Sequence, residues 1–202
     1  MEPASITPGK ERRDRDTVQA RREGGPIAAM TATITDRSPR LAVVFGALLV
    51  AQGVHAAEHA IQLVQWLVLY QGKPQGLLGA WLGFEWVHFA FNTTVGLVLL
   101  LIFFGYRMDT EEWRSVSPVG WWAMIGALVI EDGLHVPEHV VRLFQYLRYG
   151  WDPAPGILGR TAAHGTGPFP LVPLHAAYNL VVTVLMAVAY VTLVARPGSG
   201  RR

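Results

Sequence analysis

Gly53-Val54-His55-Ala56-Ala57-Glu58-His59 and, eighty residues on, Gly133-Leu134-His135-Val136-Pro137-Glu138-His139 are two writings of one stretch. Leu63 and Gln65 follow the first, and Leu143 and Gln145 stand at the same places after the second. Both then run into a loop motif, Gly76-Leu77-Leu78-Gly79 and Gly156-Ile157-Leu158-Gly159. Residues 46–79 aligned with 126–159 give 13 identities in 34 positions. Residue frequencies of a few per cent predict roughly two, so duplication is the economical reading. A further pair, His88-Phe89-Ala90-Phe91-Asn92 and His175-Ala176-Ala177-Tyr178-Asn179, aligns after an extra seven residues in the second half. Six of the seven histidines thus occupy duplicated positions.

The chain is 51% hydrophobic and only 16% charged, with a mean hydropathy of +0.28, which points to a membrane protein carrying a charged front. Four apolar stretches, about 41–68, 81–104, 119–147 and 171–195, reach the roughly 20 residues that a bilayer crossing requires. Each repeat then holds two spans and enters the membrane in the same sense. The expected fold is an all-α integral membrane protein: a four-helix bundle of two duplicated hairpins, related by a pseudo-two-fold axis along the membrane normal. The expected division is a disordered basic tail over 1–39, a first hairpin over 40–110 and a second over 118–196.

Positive charge sets the expected orientation. Lys10, Arg12, Arg13, Arg15, Arg21, Arg22, Arg37 and Arg40 precede the first span, Arg107 and Arg114 lie in the middle loop, and Arg196, Arg201 and Arg202 close the chain. Both termini are therefore expected in the cytoplasm of a bacterial-type plasma membrane. The first apolar run is too long for a signal-peptide core, so it is read as a retained span, with Met1 and Met30 both open as the start. The tail arginines are read as facing lipid, not nucleic acid. With no cysteine, disulfides, thiolate ligands and covalently attached haem drop out.

At 100° per residue His55, Glu58 and His59 share one helical face, as do His135, Glu138 and His139. Such a polar stripe must turn away from lipid. Helix rise places His55 about 21 Å beyond Leu41 in a core about 30 Å thick, the depth at which His88 enters from the other side. All six repeated histidines are expected in one layer toward the extracytoplasmic face. Two carboxylates and six imidazoles gathered there call for a bound cation. The expected ligands are His55, Glu58, His59 and His88 from one half, and His135, Glu138, His139 and His175 from the other, which suits a two-metal centre. Gln65, Asn92, Arg142, Gln145 and Asn179 are expected beside the ligands, either orienting them or bonding between helices. For Arg142 the expected partner is Glu138, one turn away. Pro137 should break the regular hydrogen bonding of its helix at Gly133.

In its ingredients the centre resembles the dinuclear carboxylate proteins of soluble bundles, though their Glu-x-x-His spacing is absent. His-x3-His with one distant histidine per half is similar to the three-histidine plan of coupled dicopper proteins. His-x-x-Glu-His matches the string of inverted zinc peptidases, but its occurrence twice on membrane helices fits ligation better than two protease sites. Nitrogen and oxygen ligands without thiolate favour iron or copper over zinc, and a membrane oxidoreductase or oxygen-activating enzyme with a lipophilic or small-molecule substrate. Three alternatives stay open. A divalent-metal transporter or metal-receiving protein needs polar stations along its path, and Leu41–Val50, Gly96–Phe104 and Val119–Ile130 carry essentially none. A b-type haem carrier would use paired histidines but leaves Glu58 and Glu138 without a task. A non-enzymatic subunit would keep the layer as a polar network, alone, as a homo-oligomer or within a membrane complex.

Overall fold

Long apolar runs without helix breakers become helices in the computed structural model, which describes residues 26–69, 73–78 and 85–194, with side chains from residue 39 onward. Residues up to Pro39 form a unit of their own, whose described part is helical from Pro26, while residues 1–25 of the expected tail lie outside the described residues. Gly79, Trp81 and the closing arginines from Arg196 lie outside them too.

The second unit begins at Arg40. Its elements are α1 (Pro26–Val68, continued from the first unit), α2 (Glu85–Gly105), α3 (Glu111–Val116), α4 (Pro118–Ile130), a π turn at Glu131–His135, α5 (Val136–Tyr149), strands β1 (Gly159–Thr161), β2 (Gly165–Thr166) and β3 (Phe169–Pro170), α6 (Leu171–Ala189) and a closing π turn, Tyr190–Val194. Start and stop signals are local. Ser117 caps α4 by accepting from the Gly120 N–H at 3.1 Å, with Pro118 in the first turn, where its missing N–H costs nothing. Gly150 ends α5 at φ +69°, a left-handed conformation that glycine adopts without strain.

Among the described residues three helices are long and apolar enough to cross a membrane: Pro39–Val68, Glu85–Gly105 and Leu171–Val194, with mean hydropathies of 1.6, 2.0 and 2.0. The expected span over 119–147 is not among them. It consists of α4, the π turn and α5 in direct succession, of 13, 5 and 14 residues, and the polar side chains from Glu131 to Arg148 dilute its apolar character. The break foreseen at Pro137 takes the form of that π turn, in which the Val136 N–H reaches back to the Glu131 carbonyl. The all-α expectation also needs amending by a small sheet of order β2-β1-β3, with β1 antiparallel to β2 and parallel to β3. It falls where the second half carries its seven extra residues.

α4 packs on α6, and α2 packs on α5 and the π turn. One end of the core is wholly apolar: Leu41, Phe45, Leu99, Ile102, Met124 and Met186 are each at most 2% exposed. Side chains on the outer faces are apolar as well, with Val43 71% and Leu101 70% exposed, the inverse of a soluble surface. Both observations fit helices whose outer faces meet hydrocarbon.

Candidate metal centre

Above the apolar core the polar residues gather. His55 and His59 come from α1, His88 from α2, His135 from the π turn, His139 from α5 and His175 from α6. Their rings touch in a continuous group: centroids lie 4.7 Å apart for His55 and His59, 4.9 Å for His135 and His139, 5.0 Å for His139 and His175, 6.0 Å for His59 and His175, and 6.2 Å for His88 and His139. His59, His135, His139 and His175 are at most 5% exposed. The i, i+4 spacing in each half does this work, since it stacks two rings on one helix face.

His135, His139 and His175 bring one ligand atom each to within 4.8 Å of one another, the one such group among the described residues. The Nε2 atoms of His135 and His139 are 3.2 Å apart. Two nitrogens on one tetrahedral ion, each about 2.0–2.1 Å from it, would lie about 3.3 Å apart. Nε2 of both His55 and His59 and Nδ1 of His139 are buried with no hydrogen-bond partner in the protein. A buried imidazole nitrogen left so is costly unless something binds it.

Glu58 and Glu138 turn the other way, toward the loops. Glu58 accepts from the backbone N–H groups of Leu77 and Leu78 at 3.0 and 2.8 Å, and Glu138 accepts from Ile157, Leu158 and Gly159, all at 3.0 Å at their shortest. Gln65 clamps Gly76 through both its N–H and its carbonyl, and Gln145 clamps Gly156 in the same way. Gly76 and Gly156 have φ of +69° and +84°, and a Cβ on either would collide with the carboxylate of Glu58 or Glu138. The repeated glycine motif thus lets backbone amides close on the buried carboxylates of the two glutamates expected as ligands, of which Glu58 also lines the smaller cavity.

The remaining expected residues also find partners. Asn92 and Asn179 each donate to the carbonyl of the histidine one turn before, at 2.9 Å. Asn179 further accepts from Gln52 Nε2 on α1 at 3.0 Å, a bond between helices. Arg142 pairs with Glu85 rather than with Glu138, whose oxygens the loop amides already occupy. It also donates to the Ala154 carbonyl at 3.0 Å and lies 2.9 Å from His175 Nε2.

Two acids enter the site unforeseen. Glu85 stands one turn before His88 on α2, and Glu131 stands four residues before His135, with its Oε2 3.0 Å from His135 Nδ1. Their spacing to a histidine was the available signal. A cavity of about 890 Å³ reaches the layer, lined by His59, His88, Arg142, His175, Lys73 and Arg160 among others, and one of about 140 Å³ touches His55, His88 and Phe91. His164, without a duplicate, stacks on Trp151 away from the group. No protein-family model, curated protein or solved structure matches this chain.

Proposed function

We propose that the chain is a membrane oxidoreductase whose six histidines hold a pair of redox metal ions, iron or copper, at the extracytoplasmic end of a four-helix bundle. The observation that carries this reading is the six-ring layer, four of its histidines buried, with unpartnered ring nitrogens, reached by a cavity large enough for a small organic substrate. Imidazole ligation suits both metals. Glu58 and Glu138 serve in this reading as anchors of the two loops that flank the cavity, and the ligand set is three histidines per half.

The recurrence of the same bonds in both halves supports a duplicated hairpin. Glu58, Gln65 and Gly76 repeat as Glu138, Gln145 and Gly156, down to the positive φ of the glycine. The segment from Pro118 to Tyr149 then serves as the third span, its polar face sealed against the other helices. Passage of ions through the chain is disfavoured by the apolar layer of Phe45, Leu99, Ile102, Met124 and Met186 beneath the histidines, which offers an ion no ligands.

In the reaction class that fits, an organic reductant gives up two electrons and two protons, and dioxygen takes them to form peroxide. A short-chain quinol tests it. Detergent-purified protein loaded with iron or copper is expected to consume oxygen with the quinol faster than metal-free protein, and the His139→Ala variant is expected to fall to the metal-free rate. Retained metal with oxygen uptake no faster than in metal-free protein would overturn the oxidoreductase reading.

A further inference from the structure

The two metal positions of the proposed centre are built differently. Of the second half's three histidines only His175 reaches a cavity, the larger one, whereas all three of the first half do: His59 and His88 line the larger and His55 and His88 the smaller. Only the second half presents three ligand atoms already within 4.8 Å of one another among the described residues. Among the described residues only the second half, too, has a carboxylate on its first histidine. Glu131 and His135 are both fully buried, and a proton on Nδ1 directed at the Glu131 oxygen leaves the Nε2 lone pair facing His139. The residue four before His55 is Ala51, which has no side-chain acceptor. A carboxylate behind a ligating imidazole fixes its tautomer and raises its basicity.

Resting on the two-metal reading, we propose that His135, His139 and His175 form a closed, high-affinity position set by Glu131. His55, His59 and His88 form an open, weaker position that takes a small exogenous ligand such as dioxygen or azide. Filling the closed position ends two contacts, the one between the Nε2 atoms of His135 and His139 and the one between His175 Nε2 and Arg142, which keeps Glu85 and the Ala154 carbonyl. Tyr178, stacked on His135 with centroids 5.0 Å apart, covers the closed side further.

Cobalt(II) is the probe, because its visible bands report coordination number and respond to added azide. Titration of the metal-free protein is expected to show two steps, with azide changing the spectrum only after the second. His55→Ala should keep the first step and lose the second together with the azide response. Glu131→Ala should weaken the first step about 10–100-fold, and Glu131→Gln, which keeps an acceptor oxygen, should lose less. Should Glu131→Ala fail to fold, His55→Ala and Glu131→Gln still decide. Two equal steps, or His55→Ala and Glu131→Gln weakening both steps alike, would overturn the inequality and leave the metal centre standing. No cobalt bound by the wild-type chain would remove the metal centre itself.

Discussion

Arg142→Ala is expected to destabilise the protein by about 3–5 kcal/mol, the usual cost of removing one partner of a buried ion pair. Arg142 and Glu85 are 8% and 5% exposed, and the second oxygen of Glu85 already has no partner, so the substitution strands a buried carboxylate. It also frees the Ala154 carbonyl and His175 Nε2. Lysine should not rescue, because its one nitrogen cannot reach the three acceptors that meet Nε, Nη1 and Nη2 around the planar guanidinium. The unfolding midpoint in detergent micelles measures the effect, and Glu85→Gln in the Arg142→Ala background should recover part of the loss. A loss below about 1 kcal/mol, the range of exposed pairs, would mean that the pair is hydrated.

Glu138→Ala comes next. Three backbone N–H groups converge on this carboxylate, and a hydrogen bond to a charged group is worth about 1.5–3 kcal/mol, although a shared acceptor makes the three less than additive. The expected loss is about 3 kcal/mol, with faster amide hydrogen exchange confined first to residues 156–159. Glu58→Ala should likewise release the Leu77 and Leu78 amides, with faster exchange there first. Unchanged exchange at Ile157 to Gly159 in Glu138→Ala would mean that the loop stands without its anchor.

Local period explains what could be read in advance. His55 and His59, like His135 and His139, lie one helical turn apart, and that spacing alone puts them on one face. The recurrence of the pair eighty residues on doubles that signal. Glu58 and Glu138 shared the face but not the destination. A side chain's position around the helix follows from its number, whereas what it meets depends on a loop about twenty residues away, which the number does not place. Arg142 is a similar case. Its sequence neighbour Glu138 is one turn off, yet Glu85, 57 residues distant, is the acid with a free oxygen. Pro137 marks where the helical run from Pro118 to Tyr149 departs from regularity, but not that a π turn carries Glu131 onto His135. Polarity in that segment is legible residue by residue, and it lowers the mean hydropathy enough that the segment is not among the three helices of the described residues apolar enough to cross on composition.

The central claim is that the six histidines exist to hold metal. Elemental analysis of detergent-purified wild-type protein beside the His59→Ala/His139→Ala double variant, prepared without chelators, tests it most directly. The account predicts about two iron or copper ions per chain in the wild type, as three histidines per ion imply, and their loss in the variant. No metal in either protein, even after iron and copper are added back, would contradict it and leave the layer as a hydrogen-bonded network.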